Sequence, residues 1–129
     1  MKRAVVDTSV FVARESGRPL ARLPRGRTVA VSMVTVAELE QGVLAAQSSA
    51  TRACRLRTLA VAESTGPLPI TRGVATRFAH LVMTMREQGQ TRLKVQDAWI
   101  AATALHWEAE LWTQDGDFHG VPGLSVVEL

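Results

Sequence analysis

The 129 residues carry 47% hydrophobic and 21% charged side chains with a formal net charge of +3, a globular balance for a chain of one-domain length. No apolar run approaches the roughly 20 residues that span a bilayer, and the single cysteine, Cys54, excludes an intramolecular disulfide framework or a thiolate zinc site. The expectation is a single domain over residues 1–129 in a reducing compartment, with no membrane association.

The basic start Met1–Arg3 is followed by too few apolar residues to make a signal peptide, which points to the cytoplasm. Residues 3 to 7 then read as a first strand, since Ala4, Val5 and Val6 are apolar without alternation, as in a strand buried on both faces. Asp7 interrupts that run, and a short helix follows from Thr8 or Ser9 to about Arg14. The simplest role for Asp7 is to cap this helix. A basic loop comes next. Of the 15 cations 13 are arginine, and Arg14, Arg18, Arg22, Arg25 and Arg27 crowd one segment. Arginine grips phosphate as a fork, so Arg22, Arg25 and Arg27 are expected to form a phosphate track for RNA. No aromatic residues interleave with them to stack on bases.

Val29, Val31 and Met33 alternate with smaller residues as a second strand. Helical periodicity follows through Val36, Leu39 and Val43, and Thr35-x-x-Glu38 reads as a capping box at the helix start. Another helix is expected over residues 48–63, then a break at the proline-rich stretch 64–71 and a short third strand at 68–70. A helix over 73–88 ends near Gly89, and an alanine-rich helix spans 96–109. In that helix Asp97 lies in register with Ile100, Ala101, Ala104 and Leu105, on the buried stripe. Leu111–Thr113 and Leu124–Glu128 complete the strands. Strands alternating with helices predict an α/β fold, a mostly parallel sheet of about five strands sandwiched by helices.

In such sheets ligands bind beyond the carboxyl ends of the strands. Asp7, Glu38, Asp97 and Asp115 all fall on that edge. Each has an ordinary explanation as a cap or turn residue, but none of these explains why four carboxylates converge and repel each other. A hard divalent cation, Mg²⁺ or Mn²⁺, resolves the repulsion with oxygen ligands. His80, His106 and His119 show no i, i+4 pairing for zinc. No G-x-S-x-G elbow or phosphate-cradling glycine loop is present.

The stretches VVDTSVFVA, VTVAELEQG, VQDAWIAATAL and LWTQDGDF resemble, in order, the four acidic motifs of the PIN-domain ribonucleases, and most closely the VapC toxins of bacterial VapBC toxin–antitoxin pairs. The resemblance runs from Val5 to Phe118. It implies a PIN-domain fold and a metal-dependent endoribonuclease in which a metal-activated water leaves a 5′-phosphate and a 3′-hydroxyl. Asp7, Glu38, Asp97 and Asp115 become the catalytic, metal-binding acids, Asp117 an auxiliary one, and Thr8, Ser9 and Thr113 supporting hydroxyls. Glu40, two residues from Glu38, is a competitor for the second position. The family further implies an RNA substrate, a VapB-type antitoxin partner and a homodimer. Two other readings stand beside this one: an RNA-binding PIN-like module that no longer cuts, and an aspartate-based phosphatase or receiver domain. The phosphatase lacks an acid at Ser9 and the receiver lacks its acidic pair and late lysine.

Overall fold

The computed structural model describes residues 2–90 and 92–129. Among them the sheet has four strands, all parallel, in the spatial order β2-β1-β3-β4: β1 (Lys2–Val6), β2 (Arg27–Ala30), β3 (Glu110–Thr113) and β4 (Val126–Glu128). Helices α1 (Thr8–Glu15), α2 (Met33–Ala45), α3 (Ser49–Glu63), α4 (Arg72–Glu87) and α5 (Val95–His106) cover it, and a 3-10 helix spans Gly116–Gly120. No described helix is long and apolar enough to cross a membrane.

The two faces follow from the period-2 alternation of a strand. Val5 and Leu111 pack with Leu81, Met85, Ile100, Ala101, Ala104 and Phe118 under α4 and α5. Ala4, Val6 and Trp112 pack with Val10, Phe11, Leu39, Val43 and Leu59 under α1, α2 and α3. Small residues on α5 let it lie close to the sheet and to α4, where Gly73 leaves room for the His106 ring.

The predicted third strand is reduced to one bridge, Ser32 with Leu68. Leu68 donates to Val31 O (2.8 Å) and accepts from Met33 N (3.0 Å), but Pro67 and Pro69 on either side have no N–H to extend the ladder. The second strand also stops earlier than its pattern suggests. Ser32 caps α2 by accepting from Val34 N (3.1 Å), so Met33 opens a helix and the expected Thr35–Glu38 capping box does not form. Glu38 consequently lies in the second turn of α2, with its side chain free for other partners.

The strand order fixes where a site belongs. From β1 the chain moves to β2 on one side, while β3 flanks β1 on the other, so the order reverses between β1 and β3. The crevice beyond the carboxyl ends of these two strands is the switch point where such sheets bind ligands. Asp7 leaves β1 there and Asp115 follows β3.

Candidate active site

Asp7 is 3% exposed at the end of β1, its N–H bonded to Trp112 O (2.8 Å). It occupies the N-cap position of α1, yet its carboxylate accepts no helix N–H. The capping role expected from the sequence is corrected: Ser9 Oγ (2.6 Å) and Thr113 Oγ1 (2.8 Å) both donate to Asp7 Oδ2. Hydroxyls at these positions outcompete the backbone because they are already fixed. Ser9 Oγ accepts from Gln114 N (3.0 Å), and Thr113 Oγ1 accepts from Asp115 N (2.9 Å). Among the described residues no donor reaches Asp7 Oδ1. The carboxylate is oriented by one oxygen and available through the other.

Glu38 is held from the first turn of α1: Thr8 Oγ1 donates to its Oε1 at 2.8 Å and lies 3.0 Å from the buried Thr35 hydroxyl. Glu40 is exposed, whereas Glu38 is half-buried and bonded to Thr8. Burial raises the Glu38 pKa, the Thr8 bond opposes the rise, and the Asp7 charge adds to it. Asp97, in the first turn of α5, is pushed up to about 6, first by burial and then by the charges of Asp7, Asp115 and Glu38. Each of these four acids acts on another member of the set, so tertiary folding brings Asp7, Glu38, Asp97 and Asp115 into one electrostatic neighbourhood. Lys94, the N-cap residue of α5, is the cation that opposes the rise at both Glu38 and Asp97. The sequence reading missed Lys94, although its place one helical turn before Asp97 is the available signal.

Asp115 also accepts Asp117 N through Oδ1 (2.9 Å), capping the 3-10 helix. Asp117 itself is exposed and takes no part in the electrostatics of Glu38 or Asp97. Arg27 is spent elsewhere: its Nε donates to Glu110 Oε1 (2.7 Å) and its Nη1 to Arg25 O (2.6 Å). It pairs in register with Lys2, at the amino end of the sheet and some 16 Å of strand away from Asp7. The expected phosphate track therefore loses Arg27, because parallel pairing of the edge strand β2 with β1 delivers it to the amino end of the sheet. Arg22 and Arg25 remain exposed on the adjoining loop.

The donor set suits a hard divalent cation. It consists of carboxylate oxygens, one carboxylate nearly buried, and among the described residues Lys94 is the cation that opposes the repulsion at Glu38 and Asp97. Among the described residues no three acidic, imidazole or thiol side chains already stand in coordinating positions. Mg²⁺ retains several waters in such sites, so carboxylates acting through water suffice. The histidines stand apart: His119 pairs with Glu128 (3.1 Å), and His106 lies against Gly73.

Residues 4–124 match the PIN domain. Ribonuclease VapC5 of Mycobacterium tuberculosis is 42% identical over 125 residues, covering 97% of this chain and 92% of that protein. Ribonuclease VapC4 of the same organism is 36% identical over 129 residues, covering 100% and 98%. The crystal structure of VapBC-5 from M. tuberculosis, a member of the VapBC family of toxin–antitoxin systems, superposes with a TM-score of 0.84 at 36% identity over the full length of both chains. With its acids gathered at the switch point and this likeness along its length, the chain belongs to the PIN-domain family, among the VapC ribonucleases.

Proposed function

We propose that this protein is the toxin of a type II toxin–antitoxin pair and acts as a Mg²⁺- or Mn²⁺-dependent endoribonuclease. The observation that carries the reading is the group of four carboxylates at the β1/β3 switch point, mutually repelling and short of cations. Asp7, Asp97 and Asp115 hold the cation directly or through water. When bound it supplies positive charge that acidifies a water and neutralises charge developing on the phosphoryl oxygens. Glu38, fixed by Thr8, orients the attacking water in line with the leaving 3′ oxygen or assists a second ion. Ser9 and Thr113 hold Asp7 in one rotamer, so the site does not reorganise when substrate arrives.

The VapC names of the relatives support RNA as substrate, and the VapBC-5 complex supports a VapB-type antitoxin as partner. A homodimer is the assembly that the family suggests. Purified chain, freed of any partner, is expected to cut structured RNA with Mg²⁺ or Mn²⁺ and to stop with EDTA. Cleavage that survives complete chelation overturns the metal mechanism. RNA binding with no cleavage under any divalent ion leaves only a binding module.

A further inference from the structure

Beside the acidic group lies a cleft of about 380 Å³ between the α4–α5 connection and the 3-10 helix, lined by Met85, Gln90, Arg92, Leu93, Gly116, Asp117 and Gly120. Both walls lead into the acids. Gly116 follows Asp115 directly, and the other wall runs through Lys94 into the first turn of α5, which carries Asp97. The cleft is at the small end of ligand sites, which begin at roughly 300 Å³, and suits one nucleoside rather than a length of strand.

Two of its glycines have no backbone reason to be glycine. Gly116 and Gly120 are absent from the positive-φ residues. A Cβ at Gly120 meets only the end of the Gln90 side chain (3.0 Å), and one at Gly116 only the Glu128 carboxylate (3.5 Å). The Gln90 end is flexible and can yield, so at Gly120 the missing side chain lets the Gln90 amide lie against the cleft wall. The groups bordering the cleft are uncommitted. Among the described residues the side chains of Gln90, Arg92 and Asp117 make no hydrogen bond or ion pair, and all three are exposed.

Resting on the ribonuclease reading above, we propose that this cleft receives the base next to the scissile phosphate and selects guanine. A carboxylate has acceptors only, and it pairs best with two adjacent donors. Among the four RNA bases, guanine alone presents two neighbouring N–H groups, N1–H and N2–H, on its Watson–Crick edge. Asp117 accepts both, and the amide of Gln90 donates to O6. Met85 and Leu93 provide the apolar floor. The Arg92 guanidinium supplies the planar surface on which unstacked RNA bases rest, in a site without aromatic side chains. Asp117 repels phosphate, so the backbone is steered toward Lys94 and the acid-bound cation.

The test uses the full chain and fluorescent oligouridines that carry one central guanosine, adenosine or cytidine, or none. Binding is read by anisotropy in EDTA, and cleavage sites are mapped with Mg²⁺. The guanosine oligomer is expected to bind at least about tenfold tighter than the others, the discrimination typical of one bidentate base contact, with cleavage beside the guanosine. Asp117→Asn flattens the preference and leaves the Mg²⁺-induced rise in Tm unchanged. Gly120→Val, which the backbone tolerates, weakens binding of the guanosine oligomer toward that of plain oligouridine. Equal binding of all four oligomers by the parent overturns the proposal. So does a guanosine preference untouched in both variants, or an Asp117→Asn protein that loses its Mg²⁺ response, which would make Asp117 a metal ligand. Guanosine-selective binding without cleavage defeats the ribonuclease reading and spares the cleft; cleavage without base preference does the reverse.

Discussion

The two ends of the sheet treat buried carboxylates in opposite ways. At the amino end Glu110, 8% exposed, accepts from Arg27 Nε (2.7 Å) and Trp112 Nε1 (3.0 Å). Burial pushes its pKa up, but these bonds and the Arg27 charge outweigh that, and the net shift is downward. At the carboxyl end Asp97 is pushed up to about 6, because burial and three carboxylates act together against Lys94 alone. An acid kept for the fold brings its own cation. Acids kept for a ligand leave that charge to be supplied from outside, and folding tolerates the deficit as the cost of a prepared site.

The largest expected effect breaks the site end. Asp97→Asn removes one repelling charge at nearly constant shape, so cleavage should fall by orders of magnitude. The metal-free variant should be at least as stable as the metal-free parent. Mg²⁺ should raise the parent's Tm more than the variant's, since an ion that binds only the folded form stabilises by mass action. Thermal unfolding in EDTA and in Mg²⁺, beside an RNA cleavage assay, checks all three. An active variant with a full metal response removes Asp97 from the site.

Thr113→Val probes the hydroxyl that donates to Asp7 and accepts from Asp115 N. Groups that orient metal ligands typically matter about 10- to 100-fold. Cleavage should drop within that range while the fold survives, as read from kinetics at saturating Mg²⁺.

At the other end Glu110→Ala strands Arg27 and the indole N–H of Trp112. Trp112 is 4% exposed, and an unsatisfied buried donor of this kind costs about 1–3 kcal/mol, which urea unfolding should detect. Cleavage per folded molecule should not change. A loss of activity at full stability would show that the two ends are coupled.

The pH dependence sharpens the contrast, because the two acids contribute with opposite sign. Asp97 binds its proton more tightly folded than unfolded. Its contribution to stability is therefore present at low pH and lost as pH rises from about 4 to about 6 in metal-free protein. Glu110 has a lowered folded pKa, so its contribution is present above the ordinary carboxylate range and lost as pH falls through it. Denaturant midpoints measured across pH in EDTA should flatten between pH 4 and 6 in Asp97→Asn, and lose part of the acid-side fall in Glu110→Gln. Identical curves for parent and variants would refute both assignments.

The smallest effect concerns the arginine loop. With Arg27 held by Glu110, Arg22 and Arg25 are what remains of the expected phosphate track. Replacing both with Ala should lower the slope of log binding constant against log salt by about 1 for single-stranded RNA. An unchanged slope leaves the loop a solvated surface.

Much of this was written in local pattern. The unbroken apolar run of Ala4–Val6 marks a strand buried on both faces, and Asp97 shares its helical stripe with Ile100, Ala101 and Ala104, all fully buried. Periodicity reads which face of an element is covered, because covering is a one-dimensional consequence of repeat length. It does not read what a polar side chain bonds to. Thr35 and Glu38 have the spacing of a capping box, yet Ser32 caps the helix and Glu38 turns to Thr8. Asp7 sits in a cap position and bonds instead to Ser9 and to Thr113, 106 residues away. Leu68 has strand chemistry, and its flanking prolines confine it to one bridge. Arg27 belongs to a basic cluster in sequence, but parallel pairing with Lys2 delivers it to the far end of the sheet and to Glu110. The sequence by itself determined the alternating elements, the buried stripes and the order of the acids, since each depends only on near neighbours. The tertiary structure alone decided which acids share one field, which cation each one meets, and that Asp117 borders a cleft. Charge and hydrogen-bond partners are chosen across distances that only strand order and register define.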